Sequence, residues 1–356
     1  MSTIRLAERG LLPDWLIRAG IRQLNRQRLR GLRAGGEAAV ARRQEMLLAE
    51  LADSPLAIET AAANEQHYEL PPEFFRLCLG PRFKYSACLF EREDSTLAQA
   101  EEAMLELYAA RAGLADGQDI LELGCGWGSL SLWLAQRYPG SRITGVSNSA
   151  PQRRFIEARA AELGLANLRI LTCDVNTLEL PEAAYDRVVS IEMFEHLRNY
   201  RTMLARIGRW LRPGGALFVH IFCHARHAYP FETQGEHNWM GRYFFTGGLM
   251  PAWDTLTHFQ DDLRLEQRWQ VDGRHYQRTA DAWLANHDVN AEAVMTVMRQ
   301  TYGDAGAALW NQRWRIFWMA CAETFGFAGG GQWLVGHYLF RKPSGPGSAG
   351  QVPPPA

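Results

Sequence analysis

The sequence predicts an α/β fold built on a parallel sheet, and three observations predict it. Between residues 120 and 222, apolar strand-like runs alternate with helix-like runs, the pattern of a parallel sheet with right-handed crossovers. The first strand, residues 120–123, passes through glycines at alternate positions, Gly124, Gly126 and Gly128, straight into a helical run at residues 129–137. Such a turn lets the backbone take positive φ and bring its N–H groups against a ligand, at the sheet edge where open α/β folds bind nucleotides. Far downstream, residues 333–340 alternate like one more core strand.

The chain in order fills in this outline. Residues 1–43 carry ten arginines against three acids, although the whole chain has a net charge of −1. If residues 11–32 are helical, Leu12, Leu16 and Leu24 share one side while Arg18, Arg22 and Arg26 lie on another. That helix either serves as a lid or subunit contact, as in a homodimer, or rests peripherally on anionic membrane. Residues 44–66 continue in Ala-rich helical style, and residues 67–75 and 83–90 crowd aromatics, hydroxyls and Glu69 ahead of the core. Residues 1–96 are therefore expected to be a helical and substrate-entry segment. Within a core at residues 97–222, a helix at 97–112 precedes strands at 141–146, 168–173, 185–191 and 216–222, with helices at 152–163 and 200–211. Residues 223–260, dense in aromatics and histidines, are too long for an ordinary connection; with the helices that follow they predict a cap at 223–330. A last strand at 331–342 and a Pro/Gly/Ser-rich, disordered tail at 343–356 complete the expectation.

Composition excludes several classes. A nearly neutral chain argues against a nucleic-acid binder, and six scattered cysteines without a C-x-x-C pair suggest neither a zinc site nor a disulfide framework. No metal is expected, and a reduced, cytoplasmic protein is the simple reading. The N-terminal region has no apolar run of signal-peptide or membrane-spanning length.

The glycine turn is specific about its ligand. A dinucleotide site asks for G-x-G-x-x-G, but here Ser129 holds the third place and Glu122 stands two residues before the first glycine. This E-x-G-x-G-x-G arrangement resembles the first motif of class I methyltransferases, which bind S-adenosylmethionine. Where that class normally carries a ribose-binding acid, after the second strand, this chain has Ser147-Asn148-Ser149, with Gln152 close behind. Those polar residues, the run Glu192-Met-Phe-Glu-His196, and Tyr68 and Tyr85-Ser86 upstream resemble the cyclopropane-fatty-acid synthase family. Further runs, Phe218-Val-His-Ile-Phe-Cys-His224, Arg242-Tyr-Phe-Phe-Thr-Gly-Gly248 and Gln260-Asp-Asp262, are most similar to its coclaurine N-methyltransferase branch; the likeness covers residues 67–342.

The resemblance implies a Rossmann-like class I methyltransferase sheet, parallel with an antiparallel last strand, plus N-terminal helices and a substrate cap. It implies S-adenosylmethionine as methyl donor, held by Tyr85, Ser86, Glu122, Gly124, Gly126, Gly128, Asn148, Gln152, Asp174 and Val175. It makes Glu195 and His196 a catalytic dyad and places Tyr68, Glu69, Glu192 and His220 around the acceptor. Methylating an amine requires removal of a proton before the nitrogen lone pair can attack, and Glu195 with His196 at a strand end suits that task. The cyclopropane synthases instead bind bicarbonate, at a site resembling Glu195, His220, Tyr68 and the backbone of a cysteine in Tyr-Ser-Cys. Here Ala87 follows Tyr85-Ser86, the cysteine comes next as Cys88, and Phe222 replaces a smaller aliphatic residue. The leading expectation is a methyltransferase acting on a small, largely apolar amine. The alternatives are methylation of unsaturated phospholipid acyl chains, with bicarbonate, and an inactive S-adenosylmethionine-binding interaction protein, against which the intact turn and the Glu195-His196 pair speak.

Overall fold

A computed structural model of the chain describes residues 2–58 and 70–344; the expected site residues Tyr68 and Glu69, and the tail from residue 345, lie outside them. Five parallel strands form the expected core: β1 (Asp119–Leu123), β2 (Arg142–Ser147), β3 (Leu168–Thr172), β4 (Tyr185–Ile191) and β5 (Leu211–His224). Two short strands, β6 (Tyr229–Pro230) and β7 (Leu249–Met250), pair with each other in the cap. Strands β8 (Arg264–Val271) and β9 (Trp333–Arg341) complete a seven-stranded sheet in the order β3-β2-β1-β4-β5-β9-β8, with β9 antiparallel to both neighbours. The chain runs outward from β1 to β3 and then returns to place β4 on the other side of β1. The crevice beyond the carboxyl ends of β1 and β4 is thus the switch point where such sheets bind ligands.

Helices cover the sheet and build the cap. They are α1 (Thr3–Glu8), α2 (Asp14–Arg33), α3 (Gly36–Asp53), α4 (Pro72–Cys78), α5 (Leu97–Ala112), α6 (Ser129–Arg137), α7 (Ala150–Glu162), α8 (Tyr200–Trp210), α9 (Trp239–Tyr243), α10 (Gly273–Val289) and α11 (Ala291–Phe325). A Thr96–Gln99 capping box starts α5 and Gly113, at φ 61°, ends it. Gly303, at φ 68°, breaks α11 into two segments. None of the helices among the described residues is long and apolar enough to cross a membrane.

Two local expectations are corrected. Strand β8 was not foreseen, because it is an edge strand whose Arg264, Glu266 and Arg268 are exposed and whose alternation is mostly polar. Strand β5 begins at Leu211 rather than 216; its ladder with β4 skips from Leu211 to Ala216 around Gly214, at φ 75°. On α2 the expected division of faces is present: Leu16 and Leu24, with Leu12 just before the helix, line one cavity together, and Ile17, Asn25 and Leu29 are buried, while the arginines on the other side are paired. Arg18 reaches Asp281 at 2.7 Å and Glu323 at 3.0 Å, and Arg22 reaches Glu323 at 2.7 Å. These contacts dock α2 against α10 and α11.

Candidate active site

The turn after β1 holds all three glycines at positive φ, 78°, 51° and 80° for Gly124, Gly126 and Gly128. A Cβ on Gly124 would stand 2.7 Å from Met193, and one on Gly128 2.7 Å from Ile156. Only glycine lets the turn lie this close to the segment after β4 and to α7. Above it a cavity of about 100 Å³ is lined by Gly124, Gly126, Asn148, Gln152 and Val175, with Glu192 and His196 at its far side. Ser147 Oγ donates to Gln152 Oε1 at 2.7 Å and so fixes the amide, whose Nε2 is buried without a partner. A buried orphan donor costs about 1–3 kcal/mol, and a ligand acceptor in this cavity would satisfy it.

On the other side of the cavity, Glu192 collects donors from three distant segments. It follows β4 directly, with a φ of 47° that a non-glycine residue adopts only where surrounding contacts hold it. Its Oε1 accepts from the Ala87 N–H at 2.9 Å and lies 3.0 Å from His220 Nε2, and its Oε2 accepts from the Tyr276 hydroxyl at 2.6 Å. The Ala87 peptide is set in place from below. Buried Glu101 accepts from the N–H groups of Arg82 and Lys84, and the buried Lys84 ammonium donates to Ser86 Oγ and the Ala87 carbonyl at 2.6 Å each. Burial pushes the Glu192 carboxyl up from its ordinary range, while Tyr276, the Ala87 N–H and the Lys84 charge oppose the shift.

The neighbouring ionisable groups are sorted by their surroundings. Glu195 is buried with neither carboxyl oxygen partnered. Burial, reinforced by Glu192, raises it well above the usual carboxyl range, so of the two acids Glu195 keeps its proton. Burial lowers His196 to about 4 and holds His220 well below its usual range, which leaves both imidazoles neutral at pH 7.

A second, larger cavity of about 710 Å³ lies on the cap side and is mostly apolar. Its walls include Leu16, Ile17 and Ile21 from α2, Phe231 and Phe245 from the cap, and Phe325 at the end of α11. Two contacts separate the cavities. Tyr276 lines the large one and bonds Glu192, which lines the small one. Phe245 likewise lines the large cavity and stacks on His196, with centroids 5.9 Å apart and planes 10° from parallel.

The expected site residues are therefore divided. Gly124, Gly126, Asn148, Gln152 and Val175 line the small cavity together with Glu192 and His196. Gly128 starts α6 just beneath, and Glu122 lies behind the turn, accepting from the Ser131 hydroxyl, with its carboxyl raised to about 7 by burial. Asp174 accepts from the Asn176 N–H at 2.7 Å and caps its own turn. The Tyr85 ring packs between Phe75 and Trp283, and Ser86 receives Lys84; neither lines the small cavity among the described residues. His220 meets Glu192 from beneath. Glu195 lines neither cavity, because successive residues of the 3₁₀ turn Phe194–His196 point about 120° apart. Sequence reasoning missed Tyr276 and Lys84; Tyr276 lies 84 residues from its partner, and no spacing or motif signals that contact.

Comparison with known proteins shows the family. Residues 57–328 match the family model described as mycolic acid cyclopropane synthetase. The chain is 36% identical over 349 residues to (S)-coclaurine N-methyltransferase of Thalictrum flavum subsp. glaucum, covering 96% of each protein. It is 29% identical to cyclopropane-fatty-acyl-phospholipid synthase of Escherichia coli (strain K12), over 62% of this chain and 55% of that one. The crystal structure of a coclaurine N-methyltransferase bound to N-methylheliamine and SAH superposes with a TM-score of 0.91 at 34% identity, covering 95% of this chain and 98% of the other. The glycine cradle and the orphaned Gln152 amide fit S-adenosylmethionine, the methyl donor of this enzyme. With the family model spanning most of its length and a relative matched over nearly all of it, the chain belongs to the mycolic acid cyclopropane synthetase family of S-adenosylmethionine-dependent methyltransferases.

Proposed function

We propose that this methyltransferase acts on an amine carried by a largely apolar molecule, with Glu192 as the base. The observation that carries this reading is the set of donors around Glu192. In the cyclopropane alternative, bicarbonate would draw on His220 and the backbone N–H at Ala87; here both point at the protein's own carboxylate. An anion fixed at that point attracts an ammonium and then accepts its proton, which an alkene does not need.

Bound S-adenosylmethionine supplies an electrophilic methyl group, and its C–S bonding pair leaves with sulfur as a carbon–nitrogen bond forms. Glu192 takes the proton that frees the amine lone pair. His196, neutral and stacked on Phe245, closes the boundary between the cavities and keeps water from the reacting nitrogen. Phe222, Phe231 and Phe245 supply an aromatic wall for the acceptor body. Their faces also suit a cation before it loses its proton. Glu195, buried and lining neither cavity, takes no part in this reading of the chemistry.

The test is transfer of labelled methyl from S-adenosylmethionine to a panel of secondary amines and, in parallel, to vesicles of unsaturated phospholipid. Label in the amines alone is the expected result. Label in lipid alone would replace this reading with the cyclopropane chemistry of the family.

A further inference from the structure

Behind Glu192 a row of side chains crosses the sheet, and the donor cavity does not use it. Ile191, the residue before Glu192, pairs with His220 on β5, His220 pairs with His337 on β9, and His337 pairs with Trp269 on β8. His220 and His337 are both fully buried. Their rings are joined from Nδ1 of His220 to Nε2 of His337 at 2.8 Å. The far nitrogen of His337, Nδ1, lies 2.7 Å from an Arg111 guanidinium nitrogen, and Arg111 itself rests 4.9 Å above the Trp269 ring.

Arginine has donors and no acceptor, and a neutral imidazole has one of each. Arg111 therefore donates to His337 Nδ1, which puts the His337 proton on Nε2. That proton points at His220 Nδ1, which must accept it, so the His220 proton sits on Nε2 and points at Glu192 Oε1. The Tyr108 hydroxyl, 3.0 Å from His220 Nδ1, is a further donor toward the same lone pair and favours the same tautomer. Each hydrogen bond in the row has only one permitted direction, and the last ends on a carboxylate that must accept.

We propose that Arg111, acting through His337 and His220, holds Glu192 as a proton acceptor, which makes Arg111 and His337 positioning residues for methyl transfer. The proposal rests on Glu192 being the base. Because the row begins at a group without a lone pair, it cannot carry the amine proton away. It polarises Glu192, and the proton leaves on the cavity side.

Other charged and titratable groups also face this row. Lys84, Glu195, His196, Tyr276, Cys88 and Cys321 act on or respond to Glu192. Around the imidazoles stand Lys84, Arg111 and Tyr108. Lys84 and Tyr276 also favour the carboxylate, so loss of Arg111 weakens the acceptor without abolishing it.

The experiment is the pH profile of kcat/KM for a secondary amine, measured on the full-length enzyme and its Arg111→Gln, Arg111→Lys, His337→Leu and Glu192→Gln variants. With the row broken, the acidic limb should move to higher pH by about one unit in Arg111→Gln and His337→Leu. That is about a tenfold loss below the limb and recovery above it, with cofactor affinity unchanged. Arg111→Lys, still a donor without a lone pair, should keep the wild-type limb. An unmoved limb in Arg111→Gln overturns the proposal while leaving Glu192 as base intact, provided Glu192→Gln removes that limb. If Glu192→Gln keeps wild-type activity and limb, the base assignment fails and the proposal with it. A readout free of substitutions is ¹⁵N NMR of the wild-type histidines. Neutral Nε2–H tautomers at positions 220 and 337 support the row, and an Nδ1–H tautomer at either position overturns it.

Discussion

Replacing Glu192 by glutamine tests the chemistry with little disturbance to packing. The amide oxygen can take the place of Oε1 and keep the Ala87 N–H and His220 bonds, while the amide nitrogen donates to the Tyr276 hydroxyl, which then turns to accept. What disappears is the proton acceptor. An alkylamine with a pKa near the lysine value of about 10.4 is free base in only about four parts in ten thousand at pH 7. Without a base the variant depends on that fraction, so kcat/KM at pH 7 should fall about 10³-fold, within the usual range for general-base removal of about 10²–10⁴. The deficit should shrink about tenfold per pH unit as the acceptor deprotonates in solution. Initial rates of labelled methyl transfer between pH 6.5 and 9.5, with cofactor affinity followed by calorimetry, give both quantities. A loss of less than threefold at pH 7, or a large loss that does not shrink with pH, would refute the assignment of Glu192.

Four further outcomes are expected. Gly128→Ala places a Cβ 2.7 Å from the buried Ile156 at a φ of 80°, so thermal unfolding should show about 2–4 kcal/mol of destabilisation, with weakened cofactor binding. Glu195 is held protonated well above its unfolded value, so folding takes up a proton and stability should fall as pH rises above about 4.5, the ordinary carboxyl value. Denaturant titrations across pH should show a flatter dependence in Glu195→Gln. His196 has the opposite sign: lowered to about 4, it adds stability above about 6.5 that is lost as pH falls toward 4, and His196→Gln should remove that part of the acid-side slope. Glu323→Ala releases the partly exposed Arg22, leaves Arg18 with Asp281 alone, and should cost about 1–2 kcal/mol after discounting for solvent. Because α2 walls the larger cavity, this change should raise KM for the amine and leave cofactor affinity near wild type.

Sequence and structure agree where information is local. Strands β1 to β4, the glycine turn and the polar run after β2 follow from periodicity and residue type over a few positions. The acidic run after β4 could be read from the sequence, but not which of its side chains line the cavity: Glu195 and His196 are adjacent in the chain, yet the 3₁₀ turn sends Glu195 into the interior and leaves Glu192 with His196 at the cavity. The donors that define Glu192 come from Ala87 and Tyr276, 105 and 84 residues away. The link from Arg111 to His337 spans 226 residues. Such pairings depend on strand register and helix docking, which no short window of sequence contains. On α2 the shared side of Leu12, Leu16 and Leu24 was legible, but the partners that Glu323 and Asp281 offer the arginines were not.

The wall formed by α1 and α2 has an evolutionary consequence. The small cavity, proposed for the donor, draws most of its described lining from residues 123–197, whereas the larger one, proposed for the acceptor, is lined mainly by the first thirty residues, the cap and the last long helix. Mutations can therefore accumulate in the chamber, trading one acceptor for another, while the machinery that handles the methyl group stays untouched. Among the described residues, Glu192 and His196 with Tyr276 and Phe245 pressed against them join the two neighbourhoods, and on the proposed reading a change of acceptor chemistry, as opposed to acceptor shape, has to pass through that small set.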